Sequence, residues 1–138
     1  MQLDHEKLDV YRVALDFVVR ADEVARALPK GRAHLADQLH RASTSVLLNI
    51  AEGAGEYSPA DKARFYRMAR RSAVECAAVF DIAGRLRLGQ PRSLAAARDD
   101  VVRIVGMLVR LIRGCGRESG QGQGHGHGGA RALRATRS

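Results

Sequence analysis

The residues best suited to chemistry in this chain are arginines set in rows. Arg64, Arg67 and Arg71 fall within about 60° of one another on a helical projection, with Arg70 further round. A guanidinium keeps its charge and bonds phosphate oxygens in pairs, so such a row suits the backbone of a nucleic acid. Arg103, Arg110 and Arg113 form a second, looser row. The plainer interpretation of both rows is a solvated helix face. Glu75 follows Arg71 by four residues, which predicts a local ion pair that takes up part of the charge.

A second pattern lies upstream, in Gln38 to Gly53. Leu35, Leu39, Ala42, Val46 and Ile50 recur at spacings of four, three, four and four, the signature of one apolar helix face. Beside it runs a polar stripe, Gln38, Arg41, Ser45, Asn49 and Glu52, whose members lie within about 80° of each other. Serine and asparagine compete with the helical backbone for hydrogen bonds, so their place in mid-helix needs a reason. Arg41 and Glu52 stand three turns apart, too far to pair with each other. Two roles are open for the stripe: hydrogen bonding to another helix or subunit, or contact with a nucleic acid or protein partner.

The other reactive residue types assemble into nothing catalytic. Ser43, Ser45 and Ser72 have no histidine and acid at triad-like placement. His5, His34 and His40 lack partners at ligand spacing, and His125 and His127 in a run of glycines have no acid or thiol near them. Gly53-Ala54-Gly55 reads as a helix stop, since no Lys-Ser/Thr follows to make a phosphate loop. Cys76 falls on an apolar face as a small hydrophobe. The expectation is a non-enzyme without metal or cofactor. Aromatic interleaving of the kind that stacks unpaired bases is missing, with Tyr57 and Tyr66 the nearby candidates, so nucleic-acid binding is expected to be backbone-led and weakly sequence-selective.

Four helical segments must position these residues. The first spans about His5 to Leu28 and stops at Pro29-Lys30-Gly31. The second spans about Arg32 to Ala54. The third begins at Ser58 as N-cap, with Pro59 in the first helical position and Asp61 where a capping box places its acid, and runs to about Leu88. The fourth is capped by Ser93 and ends near Arg113. Short connections make consecutive helices antiparallel neighbours, giving an all-α, up-down-up-down four-helix bundle over residues 1–113. Residues 114–138 hold eight glycines and little apolar surface, and are predicted to form a disordered tail.

Composition agrees with helices packed on small side chains. Aromatics make up 4% of the 138 residues and there is no tryptophan, so the core must be Leu, Val, Ile and Ala. The net charge of +8 is carried almost wholly by arginine, and the tail accounts for only +3 of it. A basic bundle leans towards nucleic acid, although a general preference for arginine codons would produce the same bias against lysine. Two cysteines, no apolar leader at the N-terminus and no membrane-length apolar run lead us to expect a cytoplasmic protein. The first helix carries two apolar faces, Tyr11, Leu15, Val18 and Val19 on one side and Val10, Val13, Phe17, Val24 and Leu28 on the other. With Leu47 and Leu48 off the core face as well, the excess apolar surface predicts self-association.

With these residues in view, the chain resembles the four-helix-bundle proteins of intervening sequences in bacterial 23S ribosomal RNA genes. That family includes the accessory variability determinant proteins of diversity-generating retroelements. The resemblance is carried by Lys7-Leu8-Asp9-Val10-Tyr11-Arg12-Val13-Ala14, by Gln38-Leu39-His40-Arg41-Ala42 with Asn49-Ile50-Ala51-Glu52-Gly53, and by Ala69-Arg70-Arg71-Ser72-Ala73-Val74-Glu75. The chain departs from the family in having Leu47-Leu48 where proline is common before Asn49, and Arg71 where glycine is usual. The resemblance implies a basic, ring-shaped homopentamer. For the retroelement members it also implies nucleic-acid binding and association with a reverse transcriptase. It marks Arg41, Ser45, Asn49, Glu52, Gly53, Ser72 and Glu75 as motif positions.

Overall fold

A computed structural model of the chain describes residues 3–123. Four helices, α1 (Asp9–Ala27), α2 (Ala33–Gly55), α3 (Pro59–Arg85) and α4 (Pro91–Gln123), alternate in direction as expected. α1 packs on α2, α2 on α3, α3 on α4, and α4 closes on α1. The two seams of α3 are the most extensive, and the α1–α4 seam is the thinnest. None of the described helices is long and apolar enough to cross a membrane.

Each helix contributes one buried stripe. Leu35, Leu39, Ala42, Val46 and Ile50 of α2 are all buried, as their spacing requires. Phe17 of α1 and Phe80 of α3 meet edge to face across the bundle, with ring centroids 6.2 Å apart, an arrangement that aromatic quadrupoles favour. Around them Ala14, Ala21, Ala69, Ala73, Ala83 and Ala97 are buried. Their small side chains let the helix backbones approach closely, which is how a core without tryptophan is filled.

Helix ends follow local chemistry, with four differences from the expected bounds, one of them that α3 ends at Arg85 rather than near Leu88. Ser58 caps α3 as predicted: its Oγ accepts the Asp61 N–H at 3.0 Å. The first helix is interrupted. Asp4–Lys7 form a 3-10 turn and Leu8 is extended, so α1 begins at Asp9. The break brings the His5 and Tyr11 rings edge to face at 4.6 Å and packs Leu8 against the core. Ser93 does not cap α4, because the Leu94 N–H already bonds the Gln90 carbonyl at 3.0 Å and the helix starts at Pro91.

The fourth helix also runs ten residues beyond its expected end at Arg113, through Gly114 to Gln123. Its apolar register continues past the glycine: Ile104, Leu108 and Cys115 are buried, and Leu111 and Ile112 pack against the core. That burial offsets part of the cost of the four helical glycines in this extension, Gly114, Gly116, Gly120 and Gly122, about 1 kcal/mol each. His125 and His127, and most of the expected tail, lie outside the described residues.

The outer face of α1 is partly apolar, as its two-faced pattern required. Leu15 and Val19 are 45% and 60% exposed, and Leu48 of α2 is 57% exposed. Leu47 and Tyr11, by contrast, pack against the core.

Candidate nucleic-acid interface

The inner face of α3 is fixed by burial of Ala63, Tyr66, Ala69, Ala73 and Cys76. That leaves Arg64, Arg67 and Arg71 exposed on its outer face, with Arg70 half-buried beside them. Together with Met68 and Val74 they line a shallow concavity. The Arg64 guanidinium carbon lies 4.5 Å from the Phe65 ring centroid, a cation–π contact that holds the head group near the surface.

Among the described residues no carboxylate comes within ion-pair distance of these four arginines. The expected Arg71–Glu75 pair does not form. Glu75 instead accepts a hydrogen bond from Gln38 Nε2 on α2, so the motif acid is spent on the α2–α3 seam and the arginine is left to solvent. Four arginines elsewhere do have carboxylate partners. Arg20 of α1 bonds Asp100 of α4 at 2.7 Å, and Arg98 of α4 bonds Asp81 of α3 at 3.0 Å. Arg12 pairs with Asp9 and Arg26 with Asp22 within α1.

The Arg98–Asp81 bridge also fixes the antiparallel register of α3 and α4. It places the C-terminal half of α4 at the same end of the bundle as the first half of α3. Arg103, Arg110 and Arg113 are exposed there without carboxylate partners among the described residues. Charge is divided by helix pair. α3 and α4 each carry six basic and three acidic side chains, whereas α1 and α2 together carry four basic and six acidic. The basic character of the bundle therefore belongs to one side of it.

The polar stripe of α2 splits in two. Gln38 and Ser45 bond across the seam to α3, and Asn49 bonds back to Ser45 within α2. The hydroxyls of Ser45 and Ser72 lie 2.8 Å apart in a hydrogen bond, and Asn49 Nδ2 donates to the Ser45 carbonyl at 2.9 Å and to its Oγ at 3.0 Å. Arg41 and Glu52 are exposed. Arg41 borders a second shallow depression with His40, Thr44, Ser45, Leu48 and Asn49. Of the two roles open for the stripe, Gln38 and Ser45 take the hydrogen bonding to another helix, and Asn49 supports it through Ser45.

The second helix stops at Gly53-Ala54-Gly55 as expected, with Gly55 its last residue, and Gly53 has a further role in packing. A Cβ at this position would lie 2.6 Å from Tyr66 Cε1 and 3.2 Å from the Lys62 carbonyl oxygen. Lys62 Nζ in turn donates to the Ala54 carbonyl at 3.0 Å and the Gly53 carbonyl at 3.4 Å, satisfying free acceptors at the end of α2. Lys62 and Tyr66 carry no local sequence signal of this role; only the glycine is visible. Arg71, where the family commonly has glycine, is exposed, so its side chain obstructs no helix contact. Ser43 is buried with its hydroxyl donated to the His40 carbonyl at 3.2 Å. Cys76 is a buried free thiol pushed up to about 12, by loss of solvation first and the nearby Glu75 charge second. Among the described residues no cluster of His, Cys, Asp and Glu could hold a metal ion.

This arrangement has known relatives. The profile of the 23S rRNA-intervening sequence proteins matches residues 6–110, all three motif blocks and most of the bundle. The chain belongs to that family. A solved structure of similar fold is a protein of unknown function from the S23 ribosomal protein family of Bacteroides thetaiotaomicron VPI-5482. The two superpose with a TM-score of 0.70 at 23% identity, over 75% of this chain and 95% of the other. At that identity the likeness establishes the bundle. No curated protein matches the sequence.

Proposed function

We propose that this family member is a non-catalytic, cytoplasmic protein that self-associates and binds the backbone of RNA or DNA through the outer face of α3. One observation carries the reading: Arg64, Arg67, Arg70 and Arg71 line one concavity within two helical turns, and none of them has a carboxylate within ion-pair distance among the described residues. Four unpaired guanidiniums within two turns repel one another, and a polyphosphate relieves that repulsion. Arg103, Arg110 and Arg113 extend the basic surface along α4. Exposed Leu15 and Val19 supply an apolar patch for self-association. A pentamer, and an accessory role beside a reverse transcriptase, are carried by the family resemblance.

Salt titration tests the binding. Affinity for generic RNA or duplex DNA should fall with a log–log slope of about −3 if three to four phosphates are neutralised. Arg64→Glu, Arg67→Glu and Arg71→Glu combined should abolish binding and leave the oligomer intact. Absence of binding at low salt overturns the reading, and a stable monomer in light scattering removes the self-association. A second reading, a protein-interaction scaffold, is favoured by exposed Met68 and Val74 within the arginine face. It predicts that the triple substitution breaks up the oligomer.

A further inference from the structure

Tyr57 stands apart from every other large side chain in the bundle. It is 99% exposed, so its ring touches almost nothing of its own chain. An aromatic side chain left wholly in water forgoes about 2 kcal/mol of burial, so a position that tolerates it is ordinarily polar. A floppy loop would excuse the exposure. This turn is not floppy.

Residues 56–58 join α2 to α3 and are tied on both sides. The Glu56 N–H bonds the Gly53 carbonyl at 3.2 Å, Ser58 Oγ accepts from the Asp61 N–H, and the Lys62 N–H bonds the Ser58 carbonyl at 3.0 Å. Lys62 Nζ clamps the end of α2 from the first turns of α3, and Tyr66 packs where Gly53 leaves room. The ring of Tyr57 is thus presented to solvent on a pre-organised backbone, where ordering costs have been met by folding.

The turn opens α3, and the first arginine of the row, Arg64, comes five residues after Pro59, about 8 Å along the axis. From Pro59 to Arg71 is twelve residues, about 18 Å of helix axis. The register set by Arg98 and Asp81 brings Arg110 and Arg113 to the same end of the bundle. A flat aromatic surface beside a track of guanidiniums is the combination that holds unpaired bases, the ring stacking on a base while the cations follow its phosphates. In an uninterrupted duplex the bases are stacked on each other, and such a ring finds no partner.

We propose that Tyr57 is a stacking platform for an unpaired base, and that the α3 face therefore takes single-stranded nucleic acid, or the unpaired part of a folded one, in preference to continuous duplex. This rests on the nucleic-acid reading above and specifies its substrate class. Of the other aromatics nearby, Tyr66 is buried, and half-buried Phe65 lies against the Arg64 guanidinium, so neither presents a free ring face as Tyr57 does.

Binding of the full chain to a short single-stranded RNA and to a duplex of the same length, at low salt, tests the proposal. Tyr57→Ala should weaken single-strand binding by at least about fivefold, the lower end of what one lost stacked base costs, and leave duplex binding unchanged. Tyr57→Phe should retain affinity. Because the chain has no tryptophan, Tyr57→Trp creates a single reporter whose fluorescence the single strand should quench and the duplex should not. Unchanged single-strand affinity in Tyr57→Ala overturns the proposal while leaving the nucleic-acid reading standing. An altered oligomer mass in Tyr57→Ala overturns it by placing the ring at a subunit contact. No binding of either probe by the unmodified chain removes both.

Discussion

Gly53 and Tyr66 compete for one volume: a Cβ on residue 53 would sit 2.6 Å from Tyr66 Cε1, well inside van der Waals contact. The closest approach of α2 to α3 at this end of the bundle is set by that missing atom. Gly53→Ala should therefore destabilise the bundle. Helix propensity favours the alanine by about 1 kcal/mol, but displacing a buried ring costs roughly 1–3 kcal/mol, and the Lys62 carbonyl blocks the other direction. Gly55→Ala is the control, since nothing lies within 4 Å of its Cβ position. Urea denaturation should show the first variant less stable and the second unchanged or more stable.

The Ser45–Ser72 bond predicts a coupled seam. Each hydroxyl is half-buried, and Ser45 is also bonded by Asn49. Ser45→Ala and Ser72→Ala should each cost about 1 kcal/mol, and the double variant less than their sum, because the second substitution removes a group already left without its partner. A double-mutant cycle in thermal or urea unfolding measures the coupling. Nucleic-acid affinity should be unmoved.

These two seam contacts mark what the sequence made legible and what it hid. The apolar stripe of α2 and the Ser58 cap could be read because period and capping are local. The polar stripe was visible as a pattern, but its purpose depended on which residues of α3 stand opposite. Glu75 shows the difficulty: spacing paired it with Arg71, whereas tertiary packing gave it to Gln38. Gly114 looked like a helix end because its neighbours are glycine-rich. The burial of Cys115 one residue later carries the helix on. The Gly53–Tyr66 contact joins residues on two helices, and no single-helix pattern contains it.

Cys76 gives the alkaline side of the stability curve a defined cause. Its thiol is raised from 9.0 to about 12 in the fold, mainly by desolvation. Below pH 9 the thiol is neutral in both states and its contribution is fully present. Between about 9 and 12 the unfolded chain loses the proton and the folded chain keeps it, so stability falls as pH rises, by up to about 1.4 kcal/mol per pH unit. Cys76→Ala should flatten this part of the profile in denaturation measured at pH 8 to 10.5. The native thiol should also resist labelling by a disulfide reagent at pH 8 until the chain is unfolded.

At the far end of α3 an arginine occupies a glycine's place. Arg87 has φ 60°, and its N–H bonds the Gly84 carbonyl at 3.1 Å while the Leu88 N–H bonds the Ala83 carbonyl at 2.8 Å. This is a Schellman ending, which places its first non-helical residue in the left-handed region. A side chain there costs about 1 kcal/mol relative to glycine. Arg87→Gly should raise stability by about that amount, read as a higher melting temperature. The gain should come without change in nucleic-acid affinity, because Arg87 lies at the opposite end of α3 from the arginine row.

The two arginine rows should differ in what they contribute to binding. Arg64, Arg67 and Arg71 are concentrated in two turns of one helix, and α3 places them beside half-buried Arg70. Arg103, Arg110 and Arg113 spread over ten residues of α4, about 15 Å of axis, so their fields overlap less. Neutralising the α3 row to glutamine should reduce affinity steeply and lower the salt slope by about two to three. Neutralising the α4 row should reduce affinity by a smaller factor and lower the slope by less. Equal effects would mean that the phosphates run across both helices and that the interface is the whole basic side of the bundle. A larger effect from α4 would move the primary contact away from α3.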